Sequence, residues 1–477
     1  MAEQTPVTPA EPAPSPQAKF VTGNLFRHVT VMSFTTSVGL MAVFVVDFVD
    51  MIFISMLGKA ELAAAIGYAG AILFFTTSFS IGIAIAAGAL VSRALGAGDV
   101  ELARRRATNA LTFGVGFAIL FSISVWLAVP RLVALLGATG ETADLATLYL
   151  RIIVPSLPIL LVGITGGAIL RAHGDARRAM MATIYGSLVN AVLDPILIFG
   201  LDLELTGAAL ASVAARVTIG AYALFPIFRH HGGLERPSPV ALARDFWPIA
   251  AIALPAIMTQ LATPVGQAYV TRAMAEFGEA AVAGMAVVSR LTPVAFGVVF
   301  ALSGAVGPII GQNAGAQDYD RVRRALRDGL IFCGLFVLGM TVLLFALRGQ
   351  IATLFDATGV MRELIFLFCG PLALAFFFNG ALFVCNAAFN NLGLPFYSTL
   401  INWGRHTLGT VPLVMLGAWG FGAPGVLIGQ AVGGVIFATL AYVLALRVID
   451  RVRAAPAPGE DRFTRQIRLF QLFHRHR

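Results

Sequence analysis

The sequence predicts an all-α integral membrane protein of about twelve transmembrane helices in two pseudo-symmetric six-helix lobes. Three observations predict it: a chain of 477 residues that is 58% hydrophobic and 12% charged, a series of long apolar runs, and an internal repeat. Soluble domains are roughly a quarter charged, and a soluble core cannot absorb this much apolar sequence.

Crossing a bilayer takes about 20 apolar residues per helix. The first six runs fall near 29–57, 62–92, 107–130, 144–170, 178–200 and 206–228. The second six fall near 246–274, 280–311, 325–348, 361–389, 396–417 and 422–448. All are continuous, dotted with Gly and rich in Ala and Leu, whereas barrel strands show short alternating segments. Cys333, Cys369 and Cys385 lie inside spans without paired spacing, and read as small apolar core residues.

The flanks complete the organisation. Met1 to Ala18 is rich in Pro and Ala and has Glu3 and Glu11 but no Lys or Arg, so the basic region of a cleavable signal is missing. Residues 1–22 are expected to be a disordered cytoplasmic tail, 23–229 the first lobe, 230–244 a cytoplasmic linker, and 245–448 the second lobe. In 449–477, Phe463, Ile467, Phe470 and Phe473 alternate with Arg462, Arg465, Arg468 and Arg475, an amphipathic tail suited to the inner membrane surface.

The net charge of +8 belongs to membrane topology, with no nucleic-acid partner implied. With both ends inside, Arg93, Arg104 to Arg106, Arg171, Arg177, Arg178, Arg229, Arg236, Arg244, Arg321, Arg323, Arg324 and Arg327 lie on the cytoplasmic side. The opposite side has only Lys59, Arg131, Arg151, Arg272, Arg348 and Arg362. This asymmetry supports an even number of spans.

The repeat appears at an offset of about 219 residues. Leu95 to Asp99 lies over Ala314 to Asp318, and Arg104-Arg105 over Arg323-Arg324. Asp194 to Gly200 lies over Val411 to Gly417, and Gly207 to Leu210 over Gly425 to Ile428. Six spans return the chain to its starting side, so the copies are parallel repeats of the kind that build rocking secondary transporters. In both copies Gly permits a turn and Asp99 or Asp318 caps the next helix.

Acids within spans need a reason, since each costs roughly 2.5–3.5 kcal/mol on insertion scales. Asp47 and Asp50 share a face of helix 1 at i, i+3, and Asn190 and Asp194 share one of helix 5 at i, i+4. Such carboxyls can hold a proton, or share a sodium ion with amide oxygens, as ion-coupled antiport requires. The aligned second-lobe positions carry no acid; Val411 faces Asp194, and helix 7 offers Gln260 and Gln267. Those glutamines, with Asn379, Asn386, Arg405 and His406, are candidates for substrate binding. Arg216 and Arg290 are further cations within spans, and Phe34, Phe74, Phe296, Phe376 and Phe378 are candidate cavity aromatics.

These residues resemble the multidrug and toxic compound extrusion (MATE) family, in particular its prokaryotic DinF-like branch, from about Asn24 to Val448. The resemblance rests on Asp50 to Gly58, Gly96-Ala97-Gly98-Asp99, Leu170 to Asp175, Asn190 to Pro195 and the duplication. It implies a V-shaped pair of lobes exporting organic cations or amphiphiles in exchange for protons or sodium ions, with no cofactor. It further implies a coupling site at Asp50, Asn190 and Asp194, joined by Ser212 where Thr is usual. The branch can carry Tyr where Val46 stands, and helix 1 lacks the expected Pro, although Pro255 is present in the second lobe. The acids that other members place in helices 7 and 10 for sodium are also missing, which favours protons.

The expected setting is a monomer in the bacterial inner membrane, in contact with membrane lipids. An ATP-driven pump is nearly excluded, because Lys19 and Lys59 are the only lysines and neither sits in a phosphate-binding loop. No His-Glu-x-x-His or nucleophile elbow marks an enzyme. A lipid or lipid-linked precursor flippase of the same superfamily is the alternative, which a cationic cavity built from Arg216, Arg290 and Arg405 would favour.

Overall fold

The computed structural model describes residues 18–454, and the amphipathic pattern after Ala457 and most of the N-terminal tail lie outside them. The described residues form α-helices with short 3-10 and π turns. The first lobe comprises α1 (Leu25–Met56), α2 (Ala60–Gly96), α3 (Val100–Leu135), α4 (Gly140–Ala172), α5 (Ala176–Gly200) and α6 (Glu204–His230). The second begins with α7 (Pro239–Ala275), α8 (Glu279–Gly315), α9 (Tyr319–Leu354) and α10 (Gly359–Asn391).

The final helical run, Phe396–Ala454, has 59 residues, far more than one crossing needs. It is broken at Gly422, whose φ of 63° only glycine adopts freely. The two halves, α11 (396–421) and α12 (423–454), fold back so closely that a Cβ on Gly417 would overlap the Gly425 carbonyl, and one on Gly429 the Leu413 carbonyl. Eleven apolar runs among the described residues therefore make twelve crossings.

Both copies break their fourth helix at corresponding places. A 3-10 turn at Val154–Ser156 interrupts α4 at Pro155, and a π turn at Phe368–Leu372 interrupts α10 at Pro371. Proline lacks an N–H and clashes with the preceding turn, so the hydrogen-bond ladder must widen or tighten there. The Gly-Ala-x-Asp turns agree as well: Asp99 accepts from the Leu102 N–H and Asp318 from the Arg321 N–H, both at 2.8 Å.

The lobes join at the arginine-rich end. There α2 and α8 cross with Gly96 against the Gln312 carbonyl and Gly315 against the Arg93 carbonyl. Ser92 donates to Asn391 Oδ1 at 3.3 Å beside this crossing. Contacts continue toward mid-membrane through Gly82 with Ile257 and Phe44 with Phe300.

Three boundaries differ from the sequence expectation. Residues 18–22, read as tail, are held in place: Phe20 is buried, its N–H donates to Gln312 Oε1 at 2.8 Å, and its carbonyl accepts from Asn313 and Arg321. The linker is shorter than 230–244, because α6 ends at His230 and Pro239 at the N-terminus of α7 starts the next helix. Residues 449–454 continue α12 instead of opening a separate tail. All three cysteines are buried and free.

Candidate functional site

Local backbone geometry sets the site in the first lobe. Pro195 lies inside α5 and is followed by a π turn, Ile196–Gly200, so Asp194 sits where the regular ladder ends. Gly207 lets α6 approach that turn: a Cβ there would lie 2.7 Å from the Leu197 carbonyl carbon. The two helices stay in contact as far as Gly186 against Ala215, so Ser212 runs alongside α5 between those points.

Asp194 is fully buried and accepts a 2.9 Å hydrogen bond from Asn190 Nδ2. Asp50, from α1, meets the Asp194 carboxyl within hydrogen-bonding reach. One oxygen on each, Asp50 Oδ1 and Asp194 Oδ1, is buried without a donor. A proton held between the carboxyls would satisfy both, and so would a small cation, since two ionised carboxylates in contact repel.

Ser212 lies beside Tyr149 of α4, whose ring also stands close to Asp50 and Asp194. Tyr149 is the residue that sequence reasoning missed. It supplies a phenolic hydroxyl from a different helix in a site where Val46 of α1 is apolar and buried. Arg216, one turn beyond Ser212, lies near Tyr149 and donates to Ser156 Oγ at 2.8 Å and to the Ile153 carbonyl at 3.2 Å. It thereby ties α6 to the break in α4 and is used within the lobe.

Asp47 borders this group: its position on α1 is exposed, yet the i, i+3 spacing keeps it on the side of Asp50, close enough for the two charges to interact.

The second-lobe candidates separate into two sets. Arg405 donates to Asn379 Oδ1, and His406 is buried with its ring pressed onto Gly266 of α7 and its Nδ1 without a partner. Gln267 follows that glycine, and Gln260 lies two turns earlier on the same helix, both half-buried. Asn386 instead accepts from Asn402 Nδ2 at 3.2 Å within the α10–α11 packing, so its side chain is taken up in structure. Arg290 is exposed on α8, whereas Arg216 is bonded within the first lobe and Arg405 to Asn379. Phe296 is fully buried and stacked on Phe376 at 4.2 Å, which makes it core, while Phe34 and Phe74 are exposed.

The MatE family model matches residues 36–196 and again 255–415, two copies separated by the offset seen in the sequence. A FAD transporter of Shewanella oneidensis is 29% identical over 439 residues, covering 90% of this chain and 96% of that protein. The multidrug export protein MepA of Staphylococcus aureus is 21% identical over 346 residues, covering 71% and 76%. Among solved structures, a mutant of the Vibrio cholerae MATE transporter VcmN superposes with a TM-score of 0.86 at 24% identity, covering 90% and 99%. A Pyrococcus furiosus transporter of the MOP superfamily, described as having a binding pocket of reverse polarity, gives 0.85 at 21% identity, covering 93% and 100%.

Proposed function

The chain belongs to the MatE family, and on that premise we propose that it is a secondary active antiporter of the bacterial inner membrane, exporting small organic cations in exchange for protons. The observation that supports this reading is the carboxyl pair: Asp50 and Asp194 meet inside the first lobe, with Asn190 on the latter and no acid at the aligned second-lobe position.

The carboxyl pair cannot be neutral and attract a cation at once. Proton uptake from the outer side therefore weakens cation binding, and the linkage is reciprocal. Release outside follows, the neutralised lobe reopens inward, and proton loss there restores the charge that draws the next substrate. The same oxygen set, Asp50, Asp194, Asn190 and the Ser212 and Tyr149 hydroxyls, also suits sodium as the coupling ion.

A second reading has its own support. Arg405 and His406 place basic groups in the second lobe, and the relative matched over nearly its full length is a FAD transporter. A flavin dinucleotide is an anion, and Arg405 is the side chain suited to its phosphates.

Transport into everted vesicles separates these readings, using ethidium and FAD as probes under an imposed proton or sodium gradient. The proposal expects proton-driven ethidium uptake that Asp50→Asn and Asp194→Asn abolish and that Arg405→Gln leaves in place. Uptake of FAD alone, lost in Arg405→Gln, would establish the second reading, and sodium-driven uptake would change the coupling ion.

A further inference from the structure

The second lobe carries an open basic pocket at the arginine-rich end, between the start of α9 and the end of α12. Its volume is about 480 Å³, and Arg323, Arg324, Arg327, Leu326, Tyr442 and Leu446 line it. A neighbouring cavity of about 420 Å³ shares Arg324 and Arg327 and is also lined by residues 23–26, Arg321 and Asp328. The two make one continuous basic strip.

The guanidinium groups here are loosely held. Arg323 meets Asp450 at 3.5 Å and Arg327 meets its chain neighbour Asp328 at 3.3 Å, with both arginines largely exposed. Asp320 at the pocket wall is paired with Arg453 at 2.9 Å. Exposed pairs of this kind are weak and exchange readily for a better anion.

The first lobe shows what the same place looks like when it is covered. The residues 219 positions earlier are Arg104, Arg105 and Thr108. There Gly232 of the linker lies against Arg104, the Glu235 N–H donates to Thr108 Oγ1 at 2.8 Å, and Arg105 pairs with Asp245 at 3.3 Å. In the second lobe Phe26 stands where Asp245 does, Arg327 replaces Thr108, and the strip stays open.

Directly toward mid-membrane from the pocket, α9 presents Leu335 and Leu338 and α12 presents Leu440 and Val443 as exposed apolar side chains. A ligand seated here meets guanidinium groups at one end and a bilayer-facing apolar surface at the other. We propose that the pocket binds the headgroup of an anionic phospholipid, its phosphodiester on Arg323, Arg324 and Arg327 and its acyl chains along α9 and α12. Arginine suits this role because its planar fork meets phosphate oxygens two at a time, and basic pockets between transmembrane helices bind such headgroups. The same phosphate chemistry is carried by soluble phosphates, which lack the apolar half.

The test is native mass spectrometry of the full-length protein in detergent, titrated with phosphatidylglycerol, cardiolipin or phosphatidylcholine. The parent should retain the anionic lipids about fivefold more tightly than phosphatidylcholine, and Arg323→Gln/Arg327→Gln should bring that ratio to within about twofold. Arg177→Gln/Arg229→Gln, which removes the same charge from exposed positions at the same end, should leave the preference intact. A melting temperature equal to the parent's without added lipid certifies the fold of the pocket variant. If that variant does not fold, Arg327→Gln alone takes its place, with an expected weakening of about threefold. Equal retention of phosphatidylcholine, an undiminished preference in the pocket variant, or a matching loss in the control variant would overturn the proposal. Displacement of the lipid by millimolar inorganic phosphate would reassign the pocket to a soluble anion.

Discussion

Gly96 and Gly315 occupy the same position in the two repeats and meet across the lobe interface, each lying on the backbone of the other's helix. Gly96 packs on the Gln312 carbonyl and Gly315 on the Arg93 carbonyl, and Arg93 and Gln312 are themselves repeat equivalents. The closed end is thus one contact made twice by a pseudo-twofold axis. A Cβ at either glycine meets main chain, which cannot rotate away as a side chain can.

Gly96→Ala and Gly315→Ala should therefore each weaken the closed arrangement by about 1–3 kcal/mol, as overpacking does. Spin labels at Glu101 and Gln317, both exposed and one on each lobe, read the separation, and the buried native cysteines stay unlabelled. Both variants should lengthen the distance. Gly116→Ala is the control, because nothing lies within 4 Å of its added Cβ; an equal lengthening there would refute the backbone account.

Gln312 fastens the segment before α1 to both lobes. It is fully buried, accepts from the Phe20 N–H at 2.8 Å and donates to the Ala172 carbonyl at 2.8 Å. Gln312→Ala removes both bonds and leaves buried backbone groups unpaired, a loss of about 2–4 kcal/mol at roughly 1–2 per bond. The released segment should admit trypsin at Lys19, an exposed residue ahead of the anchored Phe20. Peptide mass mapping reads that one cut, and equal protection in variant and parent would show that Phe20 is held by other means.

His173 predicts an acid sensitivity outside the membrane-spanning helices. Burial pushes its imidazole down to about 4, with the Ile169 carbonyl opposing and the tilted His231 ring, 4.4 Å away, adding to the fall. Nδ1–H donates to Ile169 at 2.9 Å, while Nε2 is buried without a partner, so protonation creates an unpaired N–H. The unfolded chain takes up this proton near pH 6.5, but the folded chain does so only near 4, so the unfolded state binds more protons in between. Stability falls as pH drops through that window, by about 3 kcal/mol in total. Nearby Asp175 works at a lower pH: burial raises its carboxyl, but hydrogen bonds from His231 and Arg178 hold it well below the usual range. Its contribution is complete above about pH 4 and is lost below. Melting temperatures at pH 7.5 and 5 should differ less in His173→Gln than in the parent; an unchanged difference would assign the sensitivity elsewhere.

The features legible in the sequence were those that a membrane makes costly or periodic. Asp50, Asn190 and Asp194 stand out because a polar group in apolar sequence needs a partner, and spacing alone put two of them on one face. The duplication was legible because Gly, Asp and Arg fall at fixed offsets in an otherwise monotonous background. Spacing gave no warning that Asp47 would be exposed, since a face fixes direction but not the neighbour that covers it. Phe20 and Gln312 were hidden by separation along the chain, and Tyr149 by chemistry. A tyrosine costs little in an apolar helix, and its hydroxyl acquires meaning only when the break at Val154–Ser156 turns α4 toward α6.

Tyr149 and Ser212 form the hydroxyl arm of the carboxyl site, so their effects should be coupled. Tyr149→Phe keeps the ring packing and removes the oxygen, and Ser212→Ala removes the neighbouring hydroxyl. Each should slow ion-driven ethidium transport by about 3- to 10-fold, the range of one to two hydrogen bonds. Because the two hydroxyls lie side by side, the double variant should be little slower than either single one, a coupling of about 1 kcal/mol in the cycle. Asp194→Asn should abolish transport by itself, while Asp47→Asn, at the exposed edge of the cluster, should change it by less than about 2-fold. Full additivity of Tyr149→Phe and Ser212→Ala would mean that the hydroxyls act separately, and wild-type rates in both would confine the coupling chemistry to Asp50, Asn190 and Asp194.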